Sequence, residues 1–526
     1  MDKKIYGIDL GTTYSAIAVY EDEEAKIIPN IDGMNTTPSV IYFNGTTSDG
    51  DDEMIVGQEA KNAAGQHPNN VVQFVKRDMG VKDEKVNRKG PSGKTYTPEM
   101  LSSFILRKLC QDASQRVDGE VKDVVITVPA YFDDARRTAT KQAGAIAGLN
   151  VLAVLNEPTA AAIAFGLGKG KDCRALVYDL GGGTFDVTIM DIHGNSFDVI
   201  ATGGDSKLGG FNFDAKMAEI IRNKLTDQGF ELDINDDAMF ADIREKAERA
   251  KRMLSDREIT RLHFTHPETK KDYSIEISRT EFEAATENLI TMTRVILENT
   301  MQGMPWSDID EVLLVGGSTK MPMVKRFIED ISKRQVSYKV DPDTAVAKGA
   351  AIFASTFDLN AENGVPQSDA RVAAVSENEG EVSNRIIISD VTSQSLGVVT
   401  YDKQMKKPVN TIIIPHNTKI PTKMSETVYT MDDNQTKINV RVTEGDDEDI
   451  NYVKIIGESM LSIPPYPKDS PVEIIYAYDP DQTVSIEVID KVTNQSLGTF
   501  EIDRSSNMSA EEVVKATEIS KRTYIE

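Results

Sequence analysis

Cysteine is almost absent from this chain: 526 residues carry two, Cys110 and Cys173. Two thiols cannot build a disulfide framework, so the fold must stand on its own core, as suits a reducing compartment. Histidine is nearly as scarce, with five residues at no ligand-like spacing and no CxxC or HExxH, which removes a zinc enzyme. There is no GxxxxGK[ST] and no GxSxG either, so phosphate-loop NTPases and serine hydrolases with a nucleophile elbow are excluded. Positive charge is in deficit: 59 Lys and Arg against 84 Asp and Glu leave a formal net charge of -25. Such a field opposes nucleic acid and anionic lipid, while a local cationic site for a small phosphate ligand stays open. No window approaches the ~18 uninterrupted apolar residues of a membrane span. The opening MDKKIYGIDLGTTYS runs straight into a patterned strand without an apolar leader. These absences predict a cytoplasmic protein that takes neither nucleic acid nor membrane as partner.

What is present is ample core, with 40% hydrophobic and 27% charged residues, in a length that suggests about three or four domains. An internal echo organises the first part. Ile5–Tyr20 is an apolar strand, an acidic Gly/Thr turn and an alternating strand, and Ala175–Ile192 repeats the device. Asp123–Pro129 and Glu311–Gly317 read as short buried strands leading into helices. Two related α/β halves facing each other across a cleft are expected. Ordinary repeated hairpins explain one copy better than two. Helical periodicity marks Pro98–Val117, Asp134–Gly148, Asp236–Asp256 and Arg279–Gln302. After Ala354 the chain turns polar and acidic (Asp358–Ser383), then β-rich from Arg385 to about Asp503, and Ser509–Glu526 reads as a helical tail. The predicted division is 1–357, an insertion and apolar linker at 358–390, a β-domain at 391–505 and a tail at 506–526.

The chemistry sits in the turns. Asp9-Leu10-Gly11-Thr12-Thr13-Tyr14 and Asp179-Leu180-Gly181-Gly182-Gly183-Thr184-Phe185-Asp186 each place a carboxylate before a glycine turn and a threonine after it. Glycine lets backbone N–H groups approach phosphate oxygens, and the carboxylate can hold a hydrated Mg²⁺ that neutralises them. Two such loops on opposed strands make a phosphate clamp. Lys76 can bring a cation to a transferred phosphoryl group, although read singly it is a solvated lysine. Glu157 before Pro158 is either a helix-start charge or a site acid. Glu248, Lys251, Arg252 and Ser255 share one helical face, which is either ion-paired surface or a nucleoside-binding edge. A third turn, Gly316-Gly317-Ser318-Thr319-Lys320, leads into a helix whose first N–H groups can meet a phosphate or a nucleoside.

In this order IDLGTT, VPAYFDDARRTATKQAG, NEPTAAAIAFG, DLGGGTFDV, LGGFNFD, ERAKRMLS and LVGGSTKMP resemble the DnaK-type heat shock protein 70 chaperones, densely to about Ala354 and more thinly over 385–503. The resemblance implies an actin-like, two-lobed α/β ATPase domain built on a ribonuclease H-like repeat, followed by an all-β sandwich that binds peptide. It implies ATP/ADP, Mg²⁺ and K⁺ as cofactors. By position, Gly11, Thr12, Thr13 and Tyr14 with Gly181, Gly182, Gly183 and Thr184 cradle phosphates. Asp9, Asp179 and Asp186 hold the hydrated metal region and help accept the proton of the attacking water; Lys76 orients that water and Glu157 supports the metal's water shell. Glu248, Lys251, Arg252 and Ser255 hold the nucleoside with Gly316, Gly317, Ser318 and Lys320, and Asp343 closes that side. Pro129 and Arg137 form a relay to the linker residues Ile387, Ile388 and Asp390. Val398, Tyr401, Val428, Met431, Ile438 and Val440 line a groove for an extended polypeptide. J-domain co-chaperones and a nucleotide exchange factor are implied as further partners.

The sequence departs from that pattern at several points. Lys320 stands where the family has Arg, and ammonium cannot stack on a base as a guanidinium does. Ala153 replaces a basic residue that meets J-domain partners. The linker places Ser389 at an aliphatic position, and the chain stops where a helical lid begins. The leading expectation is an ATP-hydrolysing chaperone switch. The alternative is a specialised nucleotide-switched binding protein for one partner. A small-alcohol kinase or a filament-forming relative of the same superfamily leaves the apolar linker and β-domain without a purpose.

Overall fold

The computed structural model describes residues 4–357, 386–501 and 507–526, except 82, 118, 167–171, 232, 234–235, 337 and 480–483. The acidic insertion expected at Asp358–Ser383 lies outside the described residues.

Apolar alternation in IYGID and YSAIAVYE produces the strands Ile5–Asp9 and Tyr14–Glu21, paired antiparallel with Gly7 opposite Ala18. On its other edge Ile5–Asp9 takes Asp123–Val128 in parallel, which in turn takes Asn150–Asn156. The second copy repeats the plan. Cys173–Leu180 pairs antiparallel with Phe185–His193 and parallel with Glu311–Val315. The echo in sequence is therefore an echo in topology, and it defines lobe I and lobe II. These central strands are buried along most of their length because helices cover them, as parallel pairing requires. Helices Glu157–Gly166 and Ala345–Ala354 pack on each other and on the two sheets. Gly349 makes that crossing possible: a Cβ there would lie 1.7 Å from the Ala160 carbonyl oxygen.

The expected long helices are present as Pro98–Ser114, Asp134–Ile146, Asp237–Asp256 and Arg279–Met301. Side chains of Thr97, Asp133, Asp236 and Ser278 cap their first turns, satisfying N–H groups that a helix leaves free. Among the described residues no helix is long and apolar enough to cross a membrane.

The β-rich region forms two four-stranded antiparallel sheets, one containing Leu396–Asp402 and Gln435–Glu444, the other Pro471–Tyr478 and Val484–Asp490. Strict alternation sends Val472, Ile474, Tyr476, Ile486 and Val488 into the shared core.

Ile387–Val391, read from sequence as a linker, is itself a strand. It adds in parallel to Ser196–Asp205 with Ile388 opposite Phe197, and pairs antiparallel with Lys419–Ile420. The two domains thus share one hydrogen-bonded sheet. The period-two pleat corrects the expected coupling pair: Ile388 points into lobe II's core while Ile387 is 38% exposed. The second buried linker residue is Ile386. The tail also differs from expectation. Helix Ala510–Arg522 packs against helices Pro98–Ser114 and Asp134–Ile146 of lobe I, and a short strand, Tyr524–Ile525, follows it.

Polar contacts complete the docking. The Thr202 carbonyl accepts from His416 Nε2 at 2.9 Å, and the Thr202 N–H donates to Asn417 Oδ1 at 3.0 Å. Lys454 Nζ meets Asp133 Oδ2 at 3.0 Å. Burial pushes Asp133 up, but Arg136 and Lys454 together hold it below the usual carboxylate range. Burial and then the Asp133 charge push Glu444 the other way, to about 7, against Lys454 and Arg136. Asp133, Asp134 and Arg136 belong to the first domain, so much of this field exists only when the sandwich is docked. Because the docked value lies above the ordinary 4.5, docking takes up a proton and weakens as pH rises through about 7. Protection of the linker amides against hydrogen exchange should therefore decline from pH 5 to pH 7.5, and Glu444→Gln should flatten the decline.

Candidate functional site

Each lobe's central strand ends in an aspartate at the cleft floor. Asp9 closes Ile5–Asp9, and Asp179 near the end of Cys173–Leu180 lies directly opposite Asp186 across the hairpin. Asp186 Oδ1 accepts the Tyr131 N–H at 2.9 Å, and Asp9 Oδ1 accepts from the Thr127 hydroxyl at 3.4 Å. Lys76, in the short turn Val75–Asp78, is buried and ion-paired with the equally buried Glu157. Four acidic side chains thus gather near one lysine, with Asp179, Asp186, Glu157 and Lys76 buried and Asp9 half-buried. Burial first, and then the Glu157 charge, raises Asp9 and Asp186 to about 7 and Asp179 well above its ordinary value. Such crowding calls for added positive charge. The donors are all oxygen, the chemistry of a hard hydrated cation such as Mg²⁺. Among the described residues no group of three or more His, Cys, Asp or Glu is arranged to hold a metal directly.

The glycine loops of the two lobes face each other above this floor. A Cβ on Gly182 would lie 2.3 Å from Thr13 Oγ1, and one on Gly183 2.5 Å from Thr12 Cγ2. Each loop is braced from behind. The Gly11 N–H donates to Ser15 Oγ at 3.1 Å, and Ser39 Oγ donates to the Gly11 carbonyl at 2.8 Å. The Gly181 carbonyl receives the Gly210 N–H at 2.9 Å and Ser318 Oγ at 2.9 Å, and the Gly182 carbonyl receives the Phe211 N–H at 2.7 Å. Helix Gly210–Asp227 therefore starts against the loop, with its positive end toward the clamp.

The helical face expected to meet a nucleoside does turn into the cleft, with partners the sequence did not announce. Lys61 Nζ reaches Glu248 Oε2 at 2.6 Å and the Tyr14 hydroxyl at 2.8 Å, while Arg252 donates to that hydroxyl at 3.1 Å. Lys61 comes from lobe I and Glu248 from lobe II, so the cluster bridges the cleft. Lys251 pairs with Asp214 at 2.8 Å, and Ser255 Oγ donates to the Lys251 carbonyl at 3.4 Å. On the far wall Gly316 and Gly317 open the turn Gly317–Lys320, and Lys320 is ion-paired with Asp343. No motif marks Lys61, and LGGFNFD contains Asp214 without announcing its pairing with Lys251, because both contacts come from residues distant in the chain.

The expected relay residues meet at one loop, Pro129 at its start and Arg137 on the first turn of the helix that follows it. The Arg137 guanidinium donates to the carbonyls of Phe132 and Ala130, both at 3.0 Å, fixing the turn that Pro129 begins. That loop touches the site through Tyr131 N–H and the sandwich through Asp133. A second path was missed: Asn156 Nδ2 donates to Asp390 Oδ2 at 2.7 Å, and Asn156 is adjacent to Glu157. Ala153 is buried in a core shared with lobe II.

The six residues expected to line a peptide groove do not share one environment. Val398 and Val440 are buried in the sandwich core, so they are corrected to core positions; Val428 and Ile438 pack against that core half-buried. Tyr401 and Met431 stand exposed.

The family model described as Hsp70 protein matches residues 5–524, a span that runs through both lobes, the sandwich and the tail. The chain belongs to the Hsp70 family, whose members are ATP-dependent chaperones.

Proposed function

We propose that this chain hydrolyses ATP slowly and couples the nucleotide state to capture and release of extended, apolar polypeptide. The observation that carries the coupling is a continuous polar chain. Lys76 pairs with Glu157, Asn156 is the next residue, and Asn156 holds Asp390 of the linker strand. A change of charge at Lys76 therefore reaches the element that docks the sandwich.

In this reading Thr12, Thr13, Gly182, Gly183 and Thr184 hold phosphate oxygens, and Glu248, Lys251, Arg252, Ser255, Gly317, Ser318 and Lys320 hold the nucleoside. Mg²⁺ and K⁺, when bound, would supply the charge that neutralises the phosphates, and Asp9 and Asp179 are the residues that would hold the Mg²⁺. Lys76 orients the attacking water, and Asp186, raised toward 7 by burial, is suited to take its proton near neutral pH. Glu157 keeps Lys76 in place. Lys320 presents a point charge to the base, with Asp343 beside it. Ala153 offers no charge to a J-domain partner, so stimulation by such a protein should be weak.

Thr184→Ala or Lys76→Ala should lower single-turnover hydrolysis by roughly 100-fold, the usual loss when one aligned group is removed from an electrostatic site. ATP should remain bound, and unchanged turnover refutes the clamp. Lys61→Ala removes the cross-cleft bridge, and nucleotide release should quicken by about tenfold, equivalent to ~1.4 kcal/mol; stopped-flow displacement of a labelled nucleotide measures it. Replacing Ile386 and Ile388 together by Asp should leave basal hydrolysis intact and abolish its response to a Leu-rich peptide. Ile387→Asp, at the exposed position, should keep the response. If both variants respond alike, the linker strand does not carry the coupling.

A further inference from the structure

Lys76 is placed by more than its pairing with Glu157. It sits in the turn Val75–Asp78, and the residue that opens this turn, Phe74, has a φ of +63°. An L side chain enters that left-handed region at a cost, and a bulky one stays there only where its surroundings hold it. The holding contact comes from the opposite lobe. The Phe74 ring meets the Phe211 ring edge to face, with centroids 4.8 Å apart and planes inclined at 73°, a favoured geometry for two aromatic rings.

Phe211 is fixed in turn to the glycine loop of lobe II. It lies in the first turn of helix Gly210–Asp227, and its N–H donates to the Gly182 carbonyl at 2.7 Å. Arg77, the neighbour of Lys76, completes the contact. Its Cζ lies 4.6 Å from the Phe211 ring centroid, and its Nη2 donates to the Lys207 carbonyl at 2.9 Å. Both contacts cross the cleft, from the turn that carries the lysine to the segment that braces Gly182. The rings have room to part. Both are half-buried, and they line a cavity of about 510 Å³ between the lobes, bordered also by Lys61, Phe240 and Arg244.

We infer that Phe74 and Phe211 form an aromatic latch that positions Lys76 when the lobes close, so that lobe II sets the alignment of a lobe I lysine. With the rings together, Phe211 holds Phe74 in its costly backbone conformation and the turn presents Lys76 to the clamp. With the rings parted, Phe74 relaxes toward negative φ, and the turn behind it carries Lys76 out of alignment. The Lys61–Glu248 bridge also spans the cleft, but it joins helices Gln58–Ala63 and Asp237–Asp256 rather than the Lys76 turn. The consequence for turnover rests on the hydrolysis proposed above; the placement of the turn does not.

Hydrogen exchange and single-turnover hydrolysis on the full chain with ATP and Mg²⁺ test the latch. The Arg77 and Met79 amides donate to the Phe74 and Lys76 carbonyls, and Phe211→Ala should speed their exchange by roughly tenfold. The same variant should lower hydrolysis at saturating ATP by about tenfold, while Phe211→Tyr, which keeps the ring, should stay within about twofold of the unmodified chain. In a Lys76→Ala background, Phe211→Ala should cost less than about twofold more, because the ring acts through that lysine. A full tenfold loss on top of Lys76→Ala means that the ring acts elsewhere, and overturns the inference. Unaltered exchange of the two amides overturns it as well, as does unchanged hydrolysis by Phe211→Ala. A chain that hydrolyses no ATP refutes the activity proposed above, and amide exchange alone then decides the latch. If Phe211→Ala does not fold, Phe211→Leu, which keeps much of the volume without the ring, is read in the same way.

Discussion

The arrangement depends on gathering Asp9, Asp179, Asp186 and Glu157 around Lys76, with the Arg137 charge also reaching Asp186. Carboxylates resist transfer out of water unless they are paired or neutralised. Lys76 does not balance four acids: burial first, and then the Glu157 charge, raises Asp9 and Asp186. A site of this kind is unstable toward its own charge and complete only with a cation. That makes the occupancy of the cleft a force on the protein. In the proposed cycle, a change of charge there alters how firmly Lys76 holds Glu157, and with it the position of Asn156.

Short chains of contacts join that site to the docked sandwich. Glu157 begins a helix that crosses to lobe II, and Asn156 ends a strand whose last side chain reaches the linker. The loop Pro129–Asp133 is the second connection, bonded to Asp186 through a backbone N–H and to the sandwich through a carboxylate. Both routes are short and built from groups that are buried or half-buried, where a hydrogen bond is strong and its loss costly. The Glu444 cluster adds a third influence, from solution pH, on the same docking surface.

The sequence makes legible what is written within a few residues. Acid–glycine–threonine turns are local in sequence, so the two facing glycine loops and the repeat of the two lobes could be read directly. The four long helices emerged within a few residues of expectation because their caps and apolar periods are local. What could not be read depends on register and distance. Which of Ile386, Ile387 and Ile388 is buried follows from the pairing of Ile388 with Phe197, nearly two hundred residues upstream. Lys61 and Glu248 belong to helices that only the closed cleft brings together. Val398 and Val440 alternate like any strand residues, and the pattern alone does not distinguish a core position from a groove. The tail shows helical spacing but not the surface that receives it.

The linker strand has one more effect, on solubility. While docked, it covers the rim of lobe II's sheet, pairing with Ser196, Phe197 and Asp198 of the adjacent strand. Departure of the linker uncovers N–H and C=O groups along that rim and apolar surface around Phe197, features that recruit foreign strands. A protein whose work brings it close to unfolded chains would then carry, for as long as it stays undocked, an adhesive edge of its own. Brevity of the undocked interval, or a partner that covers the rim, becomes a requirement for keeping the chaperone itself out of the aggregates it meets.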